Sequence, residues 1–308
     1  MTILLFKRSD WIDIYNSIPL YLSNNEIRKL KSIDSNLSIT EVMDIYLPLS
    51  RLIIFFIQAN IKHQNIFKKF FSKKIKKVPY IISISGSVAV GKTTTAKILQ
   101  ILLSKYPRNN KVEIVTTDSF LYSNETLIKR GLIEKKGFPE SYDMNRLIQF
   151  ILDIKLGIKK VLAPVYSHFI YDIEPKTNKI IQQPNILIIE GLHLLQNKLD
   201  YSDNFYQIFI SEFVDLSIYL DATEKLLKNW FISRFLKLRQ KAFLYNNSYF
   251  HKYINSTEQE TVFIAEDLWD RINGLNLKKN ILPTRESANI ILTKKENHIV
   301  NYISFKNN

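Results

Sequence analysis

The sequence predicts an α/β fold, a parallel sheet with helices on both faces preceded by a helical N-terminal extension. Three observations predict it. Short apolar runs alternate with helical periods from Pro79 onward; a glycine-containing loop sits between the first such run and a helix; and the stretch before Pro79 carries apolar residues at helical spacing.

Residues 1–78 read as a helical extension packed on the core. Ser38-Ile39-Thr40-Glu41 has the pattern of a capping box, with Glu41 placed to reach back to the Ser38 backbone. Val42, Ile45, Leu49, Leu52, Ile53 and Phe56 then recur on one helical face. Residues 79–308 read as the core with substrate-binding insertions. Strands are predicted at Tyr80–Ser85, Val112–Thr117, Ile186–Glu190, Val214–Leu220 and, as the last, Asn289–Thr293. Helices are predicted at Thr93–Ser104, Asn145–Leu156, Glu224–Leu238 and Ser256–Leu277. Near-continuous apolar strands separated by helices are the pattern of a parallel sheet buried on both faces. Thr257 to Glu260 has the capping pattern for the last helix, and Pro283 punctuates the chain before the final strand.

Composition narrows the function classes. With 46% hydrophobic and 12% aromatic residues, the 308-residue chain has ample material for a packed core and is not of disordered type. It contains no cysteine, which excludes disulfides, thiolate metal sites and a thiol nucleophile. Met1–Asp10 lacks the long apolar segment of a signal peptide. Ile45–Ile61, interrupted by Arg51, Gln58 and Asn60, falls short of the roughly 20 apolar residues of a membrane helix. A cytoplasmic protein without a membrane partner is expected. The net charge of +14 suits nucleic acid. However, the Lys-, Ile- and Asn-rich composition with 7 Gly matches AT-rich coding, and basic runs such as Lys73–Lys77 read as a solvated face. No nucleic-acid partner is expected; a basic cleft for polyphosphate is the more economical use of the charge.

Gly86-Ser87-Val88-Ala89-Val90-Gly91-Lys92-Thr93 matches G-x-x-x-x-G-K-[ST] in full, between a predicted strand and a predicted helix. The glycines let the backbone curl so that amide hydrogens face phosphate oxygens, and the helix N-terminus adds partial positive charge. Lys92 is placed to reach the β- and γ-phosphates, and the Thr93 hydroxyl to ligate Mg2+. The core is therefore of the P-loop NTPase type, binding ATP or GTP through Gly86 to Thr93 and the adjoining Thr94.

In such sheets chemistry gathers at the carboxyl ends of the strands. Glu190 ends the run Ile186-Leu187-Ile188-Ile189, the arrangement of an acid that holds Mg2+, and Gly191 lets the chain turn away. Asp118 follows Val112–Thr117 and suits the role of orienting and deprotonating the attacking hydroxyl. A free Asp, with a pKa of about 3.9, is a weak base, which a loose phosphoryl-transfer transition state tolerates. The two acids can exchange roles on sequence grounds, and each also reads as an ordinary cap or turn residue. Pro164–Asp172 reads as a loop whose Tyr166, His168 and Tyr171 can hydrogen-bond a small polar substrate or serve structure alone. Arg234 reads either as a neutraliser of transferring phosphate or as a surface ion-pair partner.

These strings together resemble the bacterial type I pantothenate kinases. The P-loop with its flanks, Thr116-Thr117-Asp118-Ser119-Phe120, Lys135–Asp143, Pro164–Asp172, Ile189-Glu190-Gly191-Leu192, Arg234-Phe235-Leu236-Lys237, Asn276–Arg285 and Tyr46–Leu52 carry the likeness over nearly the whole chain. The resemblance implies a cytoplasmic homodimer that uses ATP and Mg2+ to phosphorylate the 4′-hydroxyl of pantothenate, the first step toward coenzyme A, and that coenzyme A inhibits. It implies Asp118 as base, Lys92 and Arg234 at the transferring phosphate, and Thr93 at the metal, where the strand-end reading also puts Glu190. Tyr166, His168, Tyr171, Asn273 and Phe231 would line the pantothenate pocket. Lys136, His168, Phe243, Phe250 and Tyr253 would contact coenzyme A. The chain departs from the family pattern at Phe231, where Tyr is usual, at Gly274, where Trp is common, and at Lys97, where Arg is expected. The nearest rival reading is a related P-loop kinase acting on uridine or a sugar phosphate. More distant ones are a nucleic-acid-dependent ATPase and a degenerate binding protein.

Overall fold

The structure is a computed structural model that describes residues 2–15, 22–33, 37–71, 78–105, 110–196, 209–242 and 248–307. Among the described residues a seven-stranded sheet runs in the order β1-β9-β8-β7-β2-β6-β3. Its strands are β1 (Thr2–Lys7), β2 (Tyr80–Gly86), β3 (Val112–Thr116), β6 (Ile186–Gly191), β7 (Leu216–Asp221), β8 (Ile290–Lys294) and β9 (Val300–Asn307). The strands from β8 to β3 are parallel, and β9 and β1 join antiparallel at one edge. A separate antiparallel hairpin is formed by β4 (Val161–Ser167) and β5 (Asp172–Ile181).

The parallel core follows from its composition. On β6, Ile186 and Ile188 enter one buried cluster and Leu187 and Ile189 enter another, so both faces of the strand are covered. Each such fully buried aliphatic side chain contributes about 1.5–3 kcal/mol of burial free energy. Helices α1 (Arg8–Tyr15), α2 (Asn24–Ile33), α3 (Ile39–Glu41), α4 (Leu47–Phe70) and α5 (Lys92–Leu103) precede β3. Farther along come α6 (Asn124–Lys129), α7 (Met144–Lys155), α8 (Glu224–Ala242), α9 (Glu258–Leu268) and the short α10 (Gly274–Asn276). From Glu258 the chain stays helical through π-type turns at Trp269–Asn273 and Leu277–Ile281, and Pro283 opens a 3-10 turn, Leu282–Ser287. The Thr257–Glu260 capping box forms with both of its hydrogen bonds.

Several expectations are corrected. The extension is not helical throughout, because Thr2–Lys7 is a strand that pairs with β9. Asn289–Thr293 is not the last strand: β9 follows it, its buried Val300 and Ile303 set between more exposed residues. The Pro164–Asp172 run is mostly strand ends, with a register shift between Pro164 and Tyr166. Proline lacks the ladder N–H and is accommodated at such an irregularity. The Ser38 capping box is only half made. Ser38 accepts from the Glu41 amide, but the Glu41 carboxylate turns to Arg8 and accepts from the Val300 amide at 2.9 Å. Reading Ile45–Ile61 as too short for a membrane helix underestimates the element. The helical run Ile39–Phe70 is long and apolar enough by length and composition, though 50% of its most apolar window is buried in the protein.

The extension is joined to the core by specific contacts. Besides the β1–β9 pairing and the Glu41–Val300 bond, the Tyr46 hydroxyl lies 3.3 Å from the Thr95 hydroxyl in the first turns of α5.

Candidate active site

β2 delivers Gly86 to the carboxyl edge of the sheet, where the chain curls. Gly86 has φ +139°, and a Cβ there would lie 2.5 Å from the Leu220 carbonyl oxygen of β7. Gly91 has φ +97° and opens α5, while Ala89 takes a left-handed conformation at φ +61°. Only glycine avoids the steric cost of such angles freely, so Ala89 is held by its surroundings. Lys92 folds back over this loop, donating to the Gly86 carbonyl at 3.0 Å and to the Ser87 carbonyl at 2.7 Å. Burial lowers its pKa to about 8, opposed by the carboxylates of Glu190 and Asp118. The Ser87 hydroxyl is buried in the loop without a partner, an unsatisfied group of the kind a phosphate chain would complete.

Glu190, at the end of β6, accepts from the Thr93 hydroxyl at 2.8 Å. Burial raises its carboxyl pKa, with Lys92 as the main opposing influence. Gly191 is not needed for a left-handed turn. It is needed because a Cβ there would lie 2.1 Å from Thr117 Oγ1. Asp118 is the second residue of the 3-10 turn Thr117–Phe120 after β3, its amide capped by Thr116 Oγ1 at 3.3 Å. Its Oδ1 accepts from the Tyr142 hydroxyl at 3.4 Å. Lys92, Thr93, Glu190 and Asp118 are thus brought to one edge by β2, β6 and β3.

The β4–β5 hairpin walls this edge. Tyr166 packs edge-on against His168 at 5.2 Å and Tyr171 at 6.2 Å. Tyr171 has φ +55°, so the hairpin turn holds a non-glycine residue in the left-handed region next to the cleft. Desolvation lowers the pKa of His168, and the charge of Arg234 from α8 adds to the effect. Arg234 also acts on Lys92, Tyr171 and Glu190, which puts it on the cleft side of α8. Lys136 donates to Asn124 Oδ1 at 2.7 Å and to the Tyr171 carbonyl at 2.5 Å, and its ammonium lies 4.4 Å from the Tyr171 ring centre. Burial lowers its pKa to about 8.

The Phe231 ring lies 5.8 Å from that of Trp269 and 6.2 Å from that of Phe235. Asn273 ends the π-type turn after α9, on the helix packed against α8. Phe250 and Tyr253 join Phe235 in an aromatic cluster at 5.3 and 5.4 Å. Phe243 lies outside the described residues. Lys97 is exposed on α5. Gly274 is packed against Trp269, whose Nε1 would lie 2.9 Å from a Cβ there.

Sequence reasoning missed other residues here. Tyr249 stacks on Tyr171 at 4.7 Å. His193 meets the Gly137 carbonyl at 2.7 Å, and Asn276 donates to the same oxygen at 2.7 Å. Lys294, buried at the end of β8, donates to the Val90 carbonyl of the P-loop at 3.0 Å. A lysine closing the apolar run Ile290-Ile291-Leu292 was the available signal for the last of these.

Residues 81–264 match the phosphoribulokinase / uridine kinase family. The chain belongs to this family. Within it, the chain is 54% identical to a pantothenate kinase of Pectobacterium carotovorum, over 98% of this chain and 96% of that one. It is 52% identical to a pantothenate kinase of Serratia proteamaculans over the same shares. Among solved structures, a D-glycerate 3-kinase of Cryptococcus neoformans superposes with a TM-score of 0.54 at 12% identity, covering 83% of this chain and 99% of that one. The YGR205w protein superposes with a TM-score of 0.53 at 16% identity, covering 82% and 99%. The last two likenesses concern the fold alone. The chain is an ATP-dependent kinase with a P-loop core, as the motif and the strand ends led one to expect.

Proposed function

We propose that this kinase transfers the γ-phosphoryl group of ATP to the 4′-hydroxyl of pantothenate, the first step toward coenzyme A. The observation that carries the chemistry is the convergence of Lys92, the Thr93–Glu190 pair and Asp118 beside a tyrosine-lined cleft. The acceptor's identity rests on relatives named pantothenate kinase at 52–54% identity over 98% of the chain.

The loop Gly86–Thr94 cups the phosphate chain, and Lys92 leaves its two carbonyl partners to bond phosphate oxygens. No cluster of three or more His, Cys, Asp or Glu side chains able to hold a metal occurs among the described residues. The Thr93 hydroxyl and Glu190 carboxylate offer hard oxygen donors, which fits Mg2+, an ion that takes few protein ligands and relies on substrate phosphates. When bound, Mg2+ supplies charge neutralisation at the β- and γ-phosphates. Asp118 orients the acceptor hydroxyl and takes its proton. Arg234 offsets charge on the transferring group, and Tyr166, His168, Tyr171, Asn273 and Phe231 line the pantothenate site. Coenzyme A inhibits by occupying Lys136, His168, Phe243, Phe250 and Tyr253. The kinase works in the cytoplasm as a homodimer; the exposed Phe55, Ile66 and Phe70 of α4 offer an apolar surface for a second copy.

A coupled ADP-release assay with pantothenate, uridine and several sugars as acceptors tests this, with and without coenzyme A. Turnover is expected with pantothenate alone, and added coenzyme A should raise the apparent KM for ATP. Turnover with uridine or a sugar phosphate and none with pantothenate would overturn it. Asp118→Ala should still bind ATP while losing about 10²–10⁴-fold in kcat.

A further inference from the structure

We infer that Tyr142 is a positioning residue for phosphoryl transfer, its phenol holding the Asp118 carboxylate in the orientation that receives the acceptor's proton. The inference rests on the reading of Asp118 as the base.

Three tyrosines surround Asp118, and they differ in what else they can do. Tyr166 and Tyr171 belong to the hairpin wall of the cleft. Tyr142 is only 3% exposed, its ring set edge-on against His193 at 5.7 Å, so it presents no surface to a substrate. Its hydroxyl reaches Asp118 Oδ1 at 3.4 Å. Catalytic hydrogen bonds of this length in a ligand-free site commonly tighten on substrate binding.

The backbone fixes this approach. Leu121 and Tyr142 form an isolated antiparallel bridge. The Tyr122 amide donates to the Ser141 carbonyl at 2.9 Å, and the Asp143 amide to the Phe120 carbonyl at 2.7 Å. Tyr142 is therefore clamped on both sides to the end of the turn Thr117–Phe120, which carries Asp118. Burial, reinforced by the Asp118 charge, pushes the phenol's titration well upward, so the hydroxyl remains a donor across the working pH range.

Asp118 is faced by other charges. Lys92 from α5, Lys136 from the segment after α6 and Glu190 from β6 all lie within electrostatic reach of its carboxylate. His168 on the hairpin and His193 after β6 also sense its charge. All of these remain in Tyr142→Phe, which keeps the ring and removes one oxygen. A displaced pH profile in that variant therefore reports on the phenol.

The test is steady-state kinetics of Tyr142→Phe from about pH 3.5 to 9, alone and combined with Asp118→Asn, so that the carboxylate's acid limb falls inside the range. Tyr142→Phe should lower kcat about 10-fold with the KM for ATP unchanged. Loss of a donor to the carboxylate should move the acid limb of kcat up by roughly 0.5–1 pH unit. In the Asp118→Asn background the second change should cost less than about twofold, because the partners act as a unit. An unmoved acid limb, or the same loss in both backgrounds, would make Tyr142 merely structural. Wild-type kinetics in Tyr142→Phe beside an inactive Asp118→Asn would overturn the inference and leave the base assignment standing. Full activity in Asp118→Asn would overturn both.

Discussion

Gly191→Ala tests whether the two strand-end acids are set by a single close contact. An added Cβ would lie 2.1 Å from Thr117 Oγ1, 2.6 Å from its Cγ2 and 2.9 Å from its Cβ. Ordinary carbon contacts lie at about 3.5–4.0 Å, so some atoms must move by about 1 Å or more. Rotating Thr117 about χ1 redirects two of these atoms but leaves its Cβ in place, so the backbone of β6 or of the turn after β3 must yield. Glu190 precedes Gly191 and Asp118 follows Thr117, so the displacement separates the acids directly. Overpacking of this kind costs about 1–3 kcal/mol of stability, or about 2–8 °C in Tm for a chain of this size. A misplacement of about 1 Å between reacting groups costs about 10²-fold in rate. The assay pairs thermal unfolding with coupled ADP release: kcat should fall far more steeply than the melting shift suggests. Adding Thr117→Ala, which removes two of the three clashing atoms, should restore part of kcat. Wild-type kcat and Tm in Gly191→Ala would refute the reasoning.

Two further predictions concern buried titratable groups. Lys92, with a pKa lowered to about 8, should regain its proton when ATP phosphates surround it; calorimetry at pH 8 in buffers of different ionisation enthalpy should detect uptake of about half a proton, absent at pH 6.5 and in Lys92→Met. His193 has its pKa lowered by burial to about 4, so the unfolded chain binds its proton first as pH falls. Its contribution is full above pH ~6.5 and is lost toward pH ~4, about 3 kcal/mol over the window; urea unfolding should show this extra acid sensitivity in the wild type and not in His193→Gln.

The parallel core was legible because each strand carries its own evidence. Ile186–Ile189 is apolar at four consecutive positions, largely β-branched and closed by Glu190-Gly191, the mark of a short strand covered on both faces. The edge strands lack that mark. Thr2–Lys7 is mostly exposed in place, and its strand character comes from pairing with β9, nearly 300 residues later in the chain. Glu41 shows the same limit. Its spacing from Ser38 is that of a capping box, yet its carboxylate is claimed by Arg8 and by Val300, a residue 259 positions away. A local motif states what a side chain can do, and a long-range partner decides which option is taken.

The same division runs through the site. Lys92, Thr93, Glu190 and Asp118 were legible because fixed spacing to a strand end dictates where each side chain emerges. Lys294 and Tyr142 were not: Lys294 closes an apolar run and Tyr142 lies in the Lys135–Asp143 string, but neither position states which group the side chain meets. Lys294 reaches the P-loop only because β8 and β2 both flank β7. Tyr142 reaches Asp118 only because the Leu121–Tyr142 bridge folds the intervening segment, with α6 and Lys136, back on itself. Such residues share a property that sequence spacing does not encode: each is nearly buried and reaches a group on another element. Residues of that kind fix the placement of the groups that touch substrate: loss of Tyr142 should reduce turnover through geometry while leaving ATP binding largely intact, whereas loss of Lys294, bonded to the P-loop, should weaken ATP binding as well.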